Sequence, residues 1–203
     1  MNNKVNYFIT AIGTDSGKTL AAAILCKALG ADYWKPVQAG LPRDSEVIKN
    51  LVPDCAIHPE AYLLTTPASP HAAAKIDGVE IDLNKFTVPT TNNSLVIEGA
   101  GGCLVPLNDH DFVIDIPKKL KLPIVLVANL YLGSINHTLL TINYLKQHNF
   151  DVKGIIFNGK SNPESERIIL KHSDYHVIWH IKEEVEINEE VVAMYAEKIK
   201  QKI

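Results

Sequence analysis

The order of apolar and amphipathic segments along the chain predicts an α/β fold, a mostly parallel sheet with helices on both faces. Three observations carry this. Apolar runs bounded by turn residues alternate with amphipathic stretches from end to end, which is βαβα order and implies parallel strands joined by crossover helices. The first apolar run leads through a short polar loop into an Ala- and Leu-rich segment. A later one, Leu95–Ile97, ends in an acid and opens into four small residues.

In order, Val5–Thr10 reads as a buried strand and Gly17–Leu29 as a helix, with Gly30 where a left-handed stop belongs. Further strands are expected at Tyr33–Val37, Leu95–Ile97, Ile124–Ala128, Val152–Phe157 and His176–Ile178. Helical patterns lie near Asp44–Leu51, Asp111–Leu120, Ile135–Gln147, Glu164–Lys171 and Asn188–Lys200. Glu189 and Glu190 at the start of the last helix, and Lys198, Lys200 and Lys202 at its end, complement its dipole. The region from Pro53 to Thr91, punctuated by Pro67, Pro70 and Pro89, shows weak periodicity and is expected to be an elaboration between two strands.

With 203 residues, 46% of them apolar, and no repeat or break in composition, residues 1–203 are expected to form a single domain, burying about 70% of the unfolded chain's surface. No apolar run approaches the ~18 residues that span a bilayer and no basic-then-apolar leader is present, so a cytoplasmic protein without a membrane partner is expected. Net charge is −3 and only Arg43 and Arg167 supply guanidinium groups, which gives no footprint for nucleic acid. Cys26, Cys55 and Cys103 are odd in number and far apart, and read as buried free thiols.

The loop after the first strand runs Thr10-Ala11-Ile12-Gly13-Thr14-Asp15-Ser16-Gly17-Lys18-Thr19. Its end is the second half of a P-loop: Gly lets backbone N–H groups approach phosphate oxygens, Lys adds a cation, Thr offers a hydroxyl to Mg²⁺, and a helix N-terminus follows. This makes the fold P-loop NTPase-like and points to nucleotide binding. The strict pattern wants glycine where Ile12 stands, with Gly13 next door, so the loop is a variant. Thr14, Asp15 and Ser16 either meet phosphates or metal, or stabilise the turn; for Asp15 the turn role is favoured.

At Leu95-Val96-Ile97-Glu98-Gly99-Ala100-Gly101-Gly102 the strand ends in a carboxylate at the edge that should face the phosphate loop. Glu98 reads as a metal-side acid or as a solvated strand end. Lys35, in Tyr33-Trp34-Lys35-Pro36-Val37-Gln38-Ala39-Gly40, either neutralises charge beside bound phosphates or snorkels at the surface. Asp44 either caps a helix or binds Mg²⁺.

Together with Ser69-Pro70-His71 and Leu132-Gly133-Ser134-Ile135-Asn136-His137, these segments resemble the dethiobiotin synthetase family in order and spacing over roughly residues 5–160. The resemblance implies an ATP- and Mg²⁺-dependent ligase that makes dethiobiotin from 7,8-diaminononanoate and CO₂ (or bicarbonate) in biotin biosynthesis, passing through a carbamate and a carbamic–phosphoric anhydride. It implies Lys18 and Lys35 as catalytic. ATP would be held by Gly13, Thr14, Asp15, Ser16, Gly17, Lys18 and Thr19 with Glu98 and Gly101, and adenine by Asn158. Thr19, Asp44 and Glu98 would hold the metal. Lys35, Ala39, Gly133, Ser134 and Asn136 would meet the substrate, with the helix start at Ser134 supplied by the other subunit of a homodimer whose active site lies at the interface.

The chain departs from the family at Ala11, where a glycine is usual, at Ala39, where a hydroxyl is common, and near Trp179–Glu186, where no Gly-x-Ile-Pro-like segment is found. Two other classes compete with this reading, a P-loop small-metabolite kinase and a non-enzymatic, partitioning-type ATP switch. The switch class carries an extra lysine early in its loop, absent at Ile12 and Gly13, and a GTPase base reader is not found at Asn129-Leu130-Tyr131-Leu132. His172, His176 and His180 recur every four residues, but the strand-forming residues between the last two argue against one helix and a metal site. His71 and His137 receive no proton-transfer role.

Overall fold

The computed structural model describes residues 4–203. Nine strands and seven α-helices follow in the order β1 (Asn6–Ala11), α1 (Lys18–Leu29), β2 (Asp32–Trp34), β3 (Val37–Ala39), α2 (Asp44–Leu51), β4 (Ile57–His58), β5 (Tyr62–Leu64), α3 (Pro70–Asp77), β6 (Leu95–Glu98), α4 (Asp115–Leu120), β7 (Ile124–Asn129), α5 (Ser134–Gln147), β8 (Val152–Asn158), α6 (Pro163–Ser173), β9 (Val177–Ile181) and α7 (Glu189–Ile199). Seven strands form one sheet in the order β4-β2-β6-β1-β7-β8-β9, and β3 pairs with β5 in a second, two-stranded sheet. Every one of these pairings is parallel.

Alternation along the strands divides the core into two layers. Tyr7, Ile9 and Ala11 of β1, with Val125 and Val127 of β7, pack on the face covered by α1, α2 and α7. Phe8, Leu126 and Ala128 point to the opposite face, with side chains of α3, α4, α5 and α6. Period-2 alternation between two buried faces is why these strands read as unbroken apolar runs. The predicted α/β architecture with helices on both faces is therefore the one observed.

Four expectations need correction. Tyr33–Val37 is not one strand: β2 ends at Trp34, and β3 starts at Val37 in the other sheet. Pro36 has no N–H to continue a ladder, and the chain changes sheets across Lys35-Pro36. The Pro53–Thr91 segment is more than an elaboration, since it holds β4, β5 and α3; strands of two and three residues are too short to show alternation. The helix expected from Asp111 begins at Asp115. Its first residues form a turn in which Asn108 Oδ1 accepts from the Asp111 N–H and the Asp115 carboxylate accepts from the Phe112 N–H. The last strand extends to Ile181 rather than Ile178.

Helix ends follow the sequence closely. Gly30 takes the left-handed C-cap of α1 with φ 58°, and Asn188 caps α7 by accepting from the Val191 N–H at 3.1 Å. His172 lies in α6, His180 in β9 and His176 between them, and no group of three or more His, Cys, Asp or Glu side chains placed to share a metal ion occurs among the described residues.

Candidate active site

β1 and β6 lie side by side, with Ile9 opposite Glu98, and their carboxyl ends feed the two glycine-bearing loops. Strand order reverses beside β1, the kind of crevice where open α/β sheets collect ligands. A cleft of about 760 Å³ opens there, lined by Thr14 to Thr19 of the first loop, Lys35, Asp44, Glu98 and Gly101, and walled by Val37, Ala39 and the Pro67–Pro70 turn. Strand changeover at Lys35-Pro36 contributes to that wall, because it takes β3, whose Val37 and Ala39 line the cleft, out of the main sheet.

In the first loop, Gly17 stands at the N-cap of α1 with φ 89°, a left-handed conformation that side chains other than glycine rarely adopt. The Ser16 hydroxyl donates to the Gly13 carbonyl at 3.0 Å and the Lys18 ammonium to the same oxygen at 3.1 Å. Burial pulls the Lys18 pKa down, Glu98 opposes the shift, and the balance stays below the ordinary value. Asp15 is exposed, has φ 55°, and donates or accepts in no side-chain hydrogen bond among the described residues. What it gives the turn is this left-handed backbone.

The acids and the second lysine form one buried network. Glu98 is 1% exposed and Lys35 5%. Glu98 Oε1 accepts from the Thr19 hydroxyl at 2.9 Å and from Lys35 Nζ at 3.0 Å. Lys35 also donates to the Asp44 carboxylate and to the Gly99 carbonyl. Burial alone would lower the Lys35 pKa, but the combined attraction of Glu98 and Asp44 outweighs it and holds the group above its usual value. Lys35 is thus a fixed buried cation rather than a surface lysine. Asp44 does not cap: the cap position of α2 is Arg43, and the Asp44 side chain turns to Lys35.

Thr19, Asp44 and Glu98 offer only hard oxygen donors. That set suits Mg²⁺, which takes a few protein oxygens and fills its other positions with phosphate oxygens and water.

Two residues of this network were not singled out from sequence. The Tyr33 hydroxyl donates to Glu98 Oε2 at 2.8 Å; burial, then the charge of Glu98, push its pKa well up, so the phenol is neutral. Gln38 Oε1 accepts from the Asp44 N–H at 3.2 Å while its amide donates to the Gly40 carbonyl, which ties the start of α2 to the turn after β3. The available signal was period 2: Tyr33 and Lys35 are two apart and share a face.

Other predicted residues lie elsewhere. Gly13 does not line the cleft, and its carbonyl accepts from Ser16 and Lys18 instead. Asn158, at the end of β8, donates its amide to the Ser16 carbonyl at 3.1 Å. Beside it, Asn158 pairs with Ile181 of β9, so His180-Ile181-Lys182 occupy the strand end where the Gly-x-Ile-Pro-like segment was sought. Gly133, Ser134 and Asn136 are at the start of α5 and do not line this cleft. Gly133, not Ser134, holds the cap position with φ 105°, and the buried Ser134 hydroxyl has no partner among the described residues.

A strand, a glycine-ended loop carrying Lys18 and Thr19, and a helix N-terminus, faced by an acid from the neighbouring strand, define a P-loop nucleotide-binding protein. A family profile described as an AAA domain matches residues 5–191. ATP-dependent dethiobiotin synthetase BioD of Cytophaga hutchinsonii is 59% identical over 95% of this chain and 96% of that one. The protein of the same name from Christiangramia forsetii is 47% identical over 98% and 97%. The chain belongs to the ATP-dependent dethiobiotin synthetase family, a family of ATP-dependent ligases. Among solved structures, a ParA family ATPase from Chlorobium tepidum covers 97% of the chain at TM-score 0.58 and 14% identity. MinD from Pyrococcus horikoshii, complexed with Mg-ADP, covers 98% at TM-score 0.55 and 15% identity. These two share the fold.

Proposed function

We propose that this chain carboxylates 7,8-diaminononanoate with CO₂ and closes the ureido ring of dethiobiotin at the expense of ATP, in biotin biosynthesis. The observation that carries the reading is the burial of Lys35 between Asp44 and Glu98 beside the phosphate loop. Such a lysine stays charged and is fixed in advance where negative charge accumulates, the arrangement that lowers a transfer barrier most.

In this reading one amine of the diamine adds to CO₂, losing a proton and giving a carbamate. The ATP γ-phosphoryl group passes to a carbamate oxygen, leaving ADP and a carbamic–phosphoric anhydride. The second amine attacks the carbonyl carbon, the bond to phosphate breaks, a proton leaves, and the ring closes. Both amines belong to one held molecule, which removes most of the entropic barrier to closure. Lys18 and the backbone N–H groups of the loop hold the triphosphate, with Thr14, Asp15, Ser16, Gly17 and Gly101 around it. Lys35 offsets the charge of carbamate and phosphate. Thr19, Asp44 and Glu98 would hold Mg²⁺, which neutralises phosphate charge when bound.

Ala39 lines the cleft beside Lys35 and offers the substrate contact area without a hydroxyl. Asn158 would read adenine with the amide oxygen that its bond to Ser16 leaves free. The orphan N–H groups at Gly133, Ser134 and Asn136 suit the substrate's tail carboxylate. Because these lie outside the cleft, they would serve the partner's site in a homodimer of single-domain chains. Leu132 (103% exposed), just before α5, and Asn136 and Leu140 (60%) on its first two turns are exposed, a surface such a dimer would cover. A cytoplasmic location is part of this proposal; no described helix is long and apolar enough to cross a membrane.

The test is phosphate release from ATP and Mg²⁺ with diamine and bicarbonate present or withheld singly. Release is expected only with both. Release without bicarbonate identifies a kinase, and release that ignores the diamine removes the ligase assignment.

A further inference from the structure

Glu98 is 1% exposed, so its orientation is decided by the donors around it. They divide by oxygen. Oε1 receives the Thr19 hydroxyl at 2.9 Å and Lys35 Nζ at 3.0 Å, and both of those residues line the cleft. Oε2 receives, among the described residues, only the Tyr33 hydroxyl, at 2.8 Å. Tyr33 is fully buried and does not line the cleft; it belongs to the core layer that holds Ile48 of α2 and Val96 of β6.

A carboxylate with one oxygen satisfied from behind is not free to turn. Without that donor, Oε2 would be buried with no partner, and the group would gain by rotating to share both oxygens with Lys35. The β2 register makes the contact local: Tyr33 pairs with Val96 and Trp34 with Ile97, so the phenol and Lys35 reach the next residue of β6 from the same face of the neighbouring strand.

We infer that Tyr33 is the positioning residue of Glu98: its hydroxyl pins Oε2 in the core and thereby presents Oε1, beside Thr19, as the single oxygen offered to a nucleotide-bound divalent cation. The inference rests on the reading that Glu98 takes part in holding that cation. Tyr33 touches neither nucleotide nor substrate, and its effect passes entirely through the carboxylate. Hydrogen-bond partners behind a metal ligand are typically worth about 10- to 100-fold in metal affinity.

Tyr33→Phe deletes the oxygen and keeps the ring. Mn²⁺ binding to the protein–ATP complex, followed by the paramagnetic resonance of free Mn²⁺, is measured for the wild type, Tyr33→Phe, Glu98→Gln and the double variant, alongside the Mg²⁺ dependence of turnover. Tyr33→Phe should weaken Mn²⁺ binding about tenfold, with unchanged binding of metal-free ATP and a larger change in the Mg²⁺ requirement than in kcat. Adding Tyr33→Phe to Glu98→Gln should cost nothing further. Unchanged Mn²⁺ affinity in Tyr33→Phe overturns the inference, as does a further loss in the Glu98→Gln background. If the single variant does not fold, the double variant, which has no carboxylate at position 98 to satisfy, is compared with Glu98→Gln alone, and any difference in Mn²⁺ affinity overturns it. Glu98→Gln binding Mn²⁺ like the wild type would instead remove the cation reading of Glu98 itself.

Discussion

Asn158 donates its side-chain amide to the carbonyl of Ser16 at 3.1 Å, and a Cβ on Gly17 would run directly into that amide. The end of β8 thus braces the phosphate loop where it turns left-handed. Gly17→Ala meets both objections at once, an unfavourable φ of 89° and a side chain already in place. A cost of about 1–3 kcal/mol follows from the backbone alone. The expected outcome is a lower melting temperature and at least a tenfold loss of ATP affinity by calorimetry; normal ATP binding would show that the loop tolerates another path.

Lys35→Gln leaves two acids in the network with no cation between them. Turnover is expected to fall by about 10²-fold or more, while the fold and some nucleotide binding persist. Breaking one side of a buried pair typically costs about 3–5 kcal/mol, so the metal-free variant should also melt earlier. Near-normal turnover in a steady-state assay would take Lys35 out of the chemistry.

Away from the cleft, Asp32 is a buried acid whose partners are all outside the site. It accepts from Thr91 at 2.6 Å and Asn93 at 2.8 Å and pairs with His58 at 3.0 Å. Burial pushes its pKa up, but the hydrogen bonds from Thr91, Asn93 and His58 outweigh that and hold it below the ordinary 3.8. A carboxyl with a depressed folded pKa stabilises fully above its unfolded value and loses that contribution as pH falls through the folded one. Asp32→Asn should therefore lose about 1–3 kcal/mol at neutral pH and show a shallower fall in stability below pH about 4. Denaturant melts across that range check both; parallel pH curves would dismiss the linkage.

Leu140→Asp places a charge on the exposed surface of α5. Sedimentation should then show the 22.4 kDa chain where the wild type shows twice that mass, with synthesis falling in parallel. A variant that stays dimeric, or a monomer with full activity, would refute a site shared between subunits.

The main sheet was legible because β1, β6, β7 and β8 are buried on both faces and read as uninterrupted apolar runs. Gly17-Lys18-Thr19 and Glu98 were legible because phosphate chemistry demands those types at strand ends. Lys35 and Asp44 were ambiguous residue by residue: a lysine and a cap-like aspartate look ordinary until their contact is known, and that contact spans a change of sheet at Pro36. Strands β4 and β5 were invisible since two or three residues cannot display a period. Tyr33 was hidden by its own context, an aromatic in an apolar strand, which packing explains without reference to its hydroxyl.

The passage of the chain from the seven-stranded sheet to the two-stranded one at Lys35-Pro36 makes the cleft a composite of two separable structures. The frame that grips phosphates, β1, β6 and α1, is shared in outline with ATPases only 14–15% identical. The opposite bank is built by β3, to which β5 is paired, and by the Pro67–Pro70 turn, and the chain returns to the main sheet for β4 between β3 and β5 and again for β6. Change confined to Val37, Ala39 and Pro67–Pro70 would reshape that bank alone, whereas Asp44, between them in sequence, is tied to Lys35 at the joint of the two sheets.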